Sequence, residues 1–268
     1  MTPLLKPPIA PLFVPGNRPE RFAKAAASGA DAVIIDLEDA VSPEDKDQAR
    51  RNAAAHAITG VPVIIRINGA DTPWFEQDVA MLASRPPACV MVAKAAVGAI
   101  DTVVKHSAPA WVLPLVESAE GMATLDQFLG HSRVICAAFG ALDCALDLGC
   151  APDWEPLLAC RSELVLRSRL ADIAPPIEGV TTAIDDIDAL VDDCRRARAL
   201  GFGGKLAIHP TQIAAIQTGF AFTDEEHAWA RAVMKAHMGA GAVAAAGSMI
   251  DKPVLERAQR IIAGGVRG

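Results

Sequence analysis

Short apolar runs rich in β-branched residues recur along the 268-residue chain and alternate with amphipathic segments. That alternation is the sequence sign of βα units laid around a parallel sheet. In order, the runs are PLFV (11–14), AVIID (32–36), VPVIIRI (61–67), ACVMVAK (88–94), WVLPLVE (111–117), VICAAFG (134–140), a weak one in IAPPIEGV (173–180), and GGKLAIH (203–209). Eight is the number a closed (β/α)8 barrel requires, so a TIM barrel is the predicted fold. Helix signals fall between the runs. Ser42 reads as an N-cap, followed by Pro43 at the first helical position and the acids Glu44 and Asp45 in the first turn. The segment 187–200 has aspartates early and arginines late, with Gly201 as its stop. The βα pattern ends near residue 218, and two further amphipathic stretches follow. The predicted organisation is a barrel over residues 1–218 and a C-terminal helical extension over 219–268.

Composition excludes whole classes. With 51% hydrophobic and 21% charged residues, the chain buries enough apolar surface to offset its conformational entropy, which rules out intrinsic disorder. Lys and Arg number 25 against 32 acids, a net charge of −7, which repels a nucleic-acid backbone and an anionic membrane. An anionic ligand must then be held by a few placed cations. Cys89, Cys136, Cys144, Cys150, Cys160 and Cys194 form no CxxC pair, so reduced thiols are expected rather than structural zinc. Prolines interrupt the N-terminal apolar stretch that a signal peptide needs. The Ala- and Gly-rich run at 240–247 is far shorter than the roughly 20 residues of a membrane span. A soluble cytoplasmic protein is expected.

In a β/α barrel the C-terminal strand ends form the active site, and here they are charged. Asn17 and Arg18 follow the first run. Asp36, Glu38 and Asp39 end the second, Arg66 and Asn68 the third, and Lys94 the fourth. Glu117 ends the fifth, Asp143 follows the sixth, and His209 ends the eighth. Two carboxylates facing one pocket, such as Glu117 and Asp143, either share a proton or bind a cation. Oxygen ligands without histidine or cysteine suit Mg²⁺, which keeps waters and takes one or two protein carboxylates. The competing expectation is that each pairs with Arg66 or Lys94 to stiffen the barrel. Arg66 could likewise pair with Asp36 or Glu38, and a guanidinium fork can hold a carboxylate and a ligand oxygen together. Lys94 on a strand could form a Schiff base, but abundant carboxylates favour its protonated form and an electrostatic or structural role. His209 before Pro210 reads as structural. There is no GxSxG and no tyrosine, so carboxylates are left as proton carriers. The glycines at 201–204 precede a strand and do not open a helix, which excludes a phosphate loop.

The segments at 13–50, IIRING, PLVESAEGM, FGALDCALDLG, GFGGKLAIHPTQI and GSMIDKPVLERAQ together resemble the citrate lyase β-subunit-like branch of the HpcH/HpaI aldolase family. The resemblance spans nearly the whole chain. It implies a TIM barrel, often a homotrimer, that makes or breaks a carbon–carbon bond in a CoA or acyl-carrier thioester with Mg²⁺. Citryl, malyl and citramalyl thioesters are the implied substrates. Position by position, it implies that Glu117 and Asp143 ligate the metal and that Arg66 binds substrate oxygens. Asp36, Glu38 and Asp39 then support them, with Lys94 beside. Arg18 and Lys24 resemble residues that contact the nucleotide part of CoA. Asp251 resembles an acid–base group brought over the barrel mouth of an adjacent subunit. The chain departs from the family pattern at Ile9-Ala10, at Ala93 before Lys94, and at Glu178, where relatives carry aspartate. Two rival readings remain at this point: a divalent-metal pyruvate aldolase acting on free hydroxy-keto acids, and a β subunit of a larger citrate lyase complex.

Overall fold

All eight predicted runs enter parallel pairing in the computed structural model, which describes residues 4, 6–239 and 251–264. The strands are β1 (Pro11–Pro15), β2 (Ala32–Asp36), β3 (Val63–Ile67), β4 (Cys89–Val92), β5 (Trp111–Val116), β6 (Ala138–Phe139), β7 (Ile177–Glu178) and β8 (Gly204–Lys205). They lie side by side in chain order, each parallel to the next. Main-chain bonds from Phe13 to Ala207 and from Ala207 to Pro11, both 2.9 Å, bring the last segment back to the first strand. The result is the expected TIM barrel.

Strand periodicity decides what fills it. Side chains alternate between the two faces of a strand, and one row from each strand packs into a single apolar cluster. Ala32, Ile34, Ile64, Met91, Leu113, Leu115, Ala138, Ile177 and Leu206 belong to it. The same rows continue upward to polar residues: Asp36 stands two beyond Ile34, Arg66 two beyond Ile64, and Glu117 two beyond Leu115. Asp36 and Arg66 are register partners across β2 and β3. The apolar barrel interior therefore delivers charged groups to its C-terminal mouth.

Strand lengths depart from the expected runs. β1 to β5 hold four to six residues, whereas β6, β7 and β8 hold two each. Val134, expected to begin the sixth strand, makes only an isolated bridge to Val112. In the seventh run Pro175 and Pro176 precede β7 and have no N–H for a ladder. Lys94 is not on a strand. It lies two residues past β4 with a left-handed backbone, φ 46°. The helix expected from Pro43 opens as a single 3-10 turn, Pro43–Asp45, before the α-helix Lys46–Ala55. Ser42 has extended backbone as an N-cap should, but its side chain makes no capping hydrogen bond. The helix Ile187–Leu200 is capped by the Asp186 side chain and stops at left-handed Gly201, φ 117°.

The chain divides into two compact units, residues 1–219 and 220–268. In the second, the helices Asp224–Gly239 and Lys252–Ile262 pack through Ala230, Val233, Ala258 and Ile261. The Ala- and Gly-rich run at 240–247, and Met249 and Ile250 of the MIDKP segment, lie outside the described residues. Among the described residues, no helix is long and apolar enough to cross a membrane.

Candidate functional site

The corner between β2 and β3 is a buried ion cluster. Arg66 donates from Nε and Nη2 to the two carboxylate oxygens of Asp36, both at 2.6 Å. This is the planar two-point fork that arginine makes and lysine does not. Asp36 also accepts the main-chain N–H of Glu38 at 2.9 Å and of Ala40 at 3.0 Å. Burial alone would raise its pKa, but Arg66 and these N–H groups hold it below the usual carboxylate value. Glu38 Oε2 lies 2.9 Å from Arg66 Nη1, yet this buried oxygen makes no hydrogen bond. Burial pushes Glu38 up to about 7, and the neighbouring carboxylates of Asp39 and Asp36 add to the shift against the pull of Arg66. Asp39 is exposed, 3.7 Å from Arg66 Nη1. The Phe13 ring stacks on the guanidinium at 4.7 Å.

The other half of the mouth is made by β4, β5 and β6. Glu117 follows β5 directly and is buried. Its Oε1 accepts the main-chain N–H of Lys94 at 2.6 Å, which the left-handed backbone of Lys94 presents to it. Gly140 is required beside it, because a Cβ there would stand 2.5 Å from both Cβ and Oε2 of Glu117. Burial raises the Glu117 pKa to about 8, with Glu38 and Asp143 adding to the effect. Asp143 sits half-buried in the first turn of the helix Ala141–Leu148. Its pKa is also raised, by burial first and by Asp39 second. The Lys94 ammonium is partly exposed, 3.9 Å from Asp71.

Arg66 thus holds the Asp36 pKa down, whereas those of Glu38, Glu117 and Asp143 are all raised, by burial first and with neighbouring carboxylates adding to it. Carboxylates buried near one another are costly to ionise unless a cation accompanies them. A hard divalent cation between Glu117 and Asp143 would be such a partner, so the residues present fit Mg²⁺. Among the described residues no group of three or more His, Cys, Asp or Glu side chains is arranged for a metal. Mg²⁺ needs only one or two such carboxylates when waters or substrate complete its shell.

The remaining expected site residues lie on other elements, each with its own local contacts. Arg18 is exposed on the loop after β1, with Nε 2.6 Å from Glu20. Lys24 is exposed on the helix Phe22–Ala26. His209 is exposed and its Nδ1 lies 2.7 Å from the Thr211 hydroxyl. Asp251 belongs to the second unit, where Oδ1 accepts the Val254 N–H at 3.2 Å and caps the helix Lys252–Ile262. Glu178 pairs with Arg161 at 2.9 Å, and both are buried.

Two contributors had no sequence signal. Lys46 lies in the charged string DKDQAR, which reads as a solvated helix start, yet it is buried under the Glu38 loop. Gln212 accepts the N–H of Ile208 at 2.9 Å and donates to the Thr181 carbonyl at 2.9 Å, tying together the loops that follow β7 and β8.

The chain is similar to known proteins over nearly its whole length. Residues 10–210 match the HpcH/HpaI aldolase/citrate lyase family model. A citrate lyase subunit beta-like protein of Deinococcus radiodurans is 35% identical over 271 residues, covering 94% of this chain and 95% of that protein. An L-malyl-CoA/beta-methylmalyl-CoA lyase of Cereibacter sphaeroides is 31% identical over 304 residues, covering 96% and 95%. Among solved structures, CitE of Mycobacterium tuberculosis in complex with magnesium, acetoacetate and coenzyme A superposes with a TM-score of 0.87 at 31% identity, over 97% of this chain and 98% of that one.

Proposed function

Because this chain belongs to the HpcH/HpaI aldolase/citrate lyase family, we propose that it is a Mg²⁺-dependent carbon–carbon lyase. It cleaves a 3-hydroxyacyl-CoA thioester of the malyl, citramalyl or citryl type to an acyl-CoA and a 2-keto acid. The observation that carries the reading is the pair Glu117, directly after β5, and Asp143, in the first turn of the helix that follows β6, two carboxylates whose pKa values are both raised.

In this cleavage the bond between C2 and C3 of the thioester breaks. The C3 hydroxyl loses its proton and becomes the keto group, the bonding electrons pass to the thioester enolate, and C2 takes up a proton. Glu117 and Asp143 would hold Mg²⁺, which when bound polarises the keto-acid oxygens and offsets charge that develops on them. Arg66 is held rigid by Asp36, and its two hydrogen bonds there leave further N–H groups for a substrate oxygen. A fixed donor aimed at developing charge needs no reorganisation during the reaction. Asp251 is assigned the proton transfer, with one oxygen already used as a helix cap. Arg18 and Lys24 are exposed cations suited to the phosphates of CoA in a chain whose overall charge is −7.

The reading includes a homotrimer in which Asp251 serves a neighbouring barrel, and a cytoplasmic location, in keeping with six free thiols. The test is an assay of the purified protein on malyl-, citramalyl- and citryl-CoA with Mg²⁺. Release of a keto acid from at least one thioester, abolished by EDTA, is expected. Full turnover in EDTA, or turnover of free hydroxy-keto acids alone, would overturn the reading.

A further inference from the structure

Lys46 opens the helix Lys46–Ala55 and is 5% exposed, an unusual position for an ammonium group. All three of its donors are used. Nζ donates to the carbonyls of Leu37 and Glu38, both at 2.8 Å, and to Asn68 Oδ1 at 2.7 Å. The Trp74 ring covers it at 4.9 Å. Asn68 is fixed in turn: its main-chain N–H and its Nδ2 donate to Asp78 Oδ2 at 3.0 and 2.6 Å. Asp78 is held from its other oxygen by Arg50 Nε at 2.9 Å. Arg50 lies four residues after Lys46 on the same helix, so the polar chain returns to the element from which it began.

This closed circuit grips the backbone that carries the site. Leu37 N–H donates to the Arg66 carbonyl at 2.9 Å, while Lys46 holds the next two carbonyls of the same loop from behind. Glu38 is therefore bound through its main chain on one side, with its carboxylate beside Arg66 on the other. Glu38 is also one of the charges felt by Glu117. Among the described residues, Lys46 makes no ion pair with a carboxylate. It is buried to place a loop.

We propose that Lys46 is a positioning residue for the cation site, acting through Asn68, Asp78 and Arg50 to hold the Glu38–Asp39 loop against the end of β3. The inference rests on the reading of Glu117 and Asp143 as a Mg²⁺ site. Outer partners of this kind set the affinity of a metal site without touching the ion.

The experiment is calorimetric titration of MgCl₂ into the full-length protein and three variants, without substrate. Lys46→Met keeps length and removes the three donors, and Asn68→Ala breaks the same circuit at its next link. Leu82→Ala, at a fully buried apolar site in the helix Phe75–Ser84, is a destabilised control outside the circuit. Wild type is expected to bind Mg²⁺. Lys46→Met should bind about 10- to 100-fold more weakly, Asn68→Ala should shift the same way, and Leu82→Ala should match wild type despite its lower melting temperature. Wild-type affinity in folded Lys46→Met would overturn the inference, as would equal weakening in Leu82→Ala. If Lys46→Met does not fold, Asn68→Ala decides alone, and unchanged affinity there is the overturning result. Absence of binding to wild type would overturn the cation site itself and this inference with it.

Discussion

Arg66 joins a buried ion pair to the chemistry proposed for it. Its fork to Asp36 is buried on both sides, and breaking such a pair leaves an uncompensated charge at a cost of about 3–5 kcal/mol. Arg66→Lys keeps the charge and loses the two-point geometry. We expect turnover to fall about 100- to 1,000-fold together with a lower melting temperature; near-normal turnover would assign Arg66 to structure alone. Gly140→Ala tests the neighbouring contact. Its new Cβ would meet the Glu117 carboxylate at 2.5 Å, so Mg²⁺ binding, read by calorimetry, should weaken while far-UV dichroism stays unchanged. The raised carboxylates also predict a pH dependence. Glu38 and Glu117 have folded pKa values of about 7 and 8, above their ordinary 4.5. Their contribution to stability is complete below 4.5 and is lost as pH rises through 7 to 8. In EDTA the melting temperature should therefore fall from about pH 5 to about pH 9. Mg²⁺ should raise it more at the alkaline end, and a Mg²⁺ effect equal at both ends would contradict the assignment. Asp36 has the opposite sign, its pair being lost only as pH drops below 3.8.

At the scale of elements, the same physics produced both agreement and departure from the sequence pattern. The 187–200 helix was legible because its dipole charges and Gly201 are local signals, while its Asp186 cap was found only in the structure. β6, β7 and β8 were overestimated because an apolar run shows only that a segment is buried, whereas two residues of each run find ladder partners. Asp251 is the element-scale question, since its carboxylate caps a helix whether or not it also moves a proton. Asparagine caps about as well as aspartate, and alanine costs about 1 kcal/mol. Asp251→Asn should keep hydrogen-exchange protection in the helix Lys252–Ile262 and lose lyase turnover, whereas Asp251→Ala should lose both. Normal turnover in Asp251→Asn would confine the residue to capping.

At the scale of the molecule, the barrel and the helical unit each have their own apolar core. If Asp251 serves an adjacent barrel, two inactive variants should complement each other. A protomer with Glu117→Gln still lends a sound Asp251 to a neighbour with Asp251→Asn, whose metal carboxylates are intact. Co-refolded mixtures should recover part of the activity that neither has alone. Mixed oligomers that form and stay inactive would place Asp251 in its own barrel or outside the chemistry.

The sequence by itself determined the barrel, because eight apolar runs at βα spacing admit few other arrangements, and it determined which carboxylates stand at the strand ends, because position along a strand is read directly from residue order. Asp36 and Glu117 were legible for that reason, as was the Arg66 charge near the end of β3, whereas Asp143 stands in the first turn of the helix after β6. What only the tertiary structure decided is which charge meets which. The fork between Arg66 and Asp36 depends on β2–β3 register, and the N–H that Lys94 gives Glu117 depends on a backbone turn to φ 46°. The burial of Lys46 depends on a helix folding back beneath the loop that precedes it. Charge type is a property of a residue and survives in one dimension, but burial and pairing belong to the space between elements, and no local pattern encodes them.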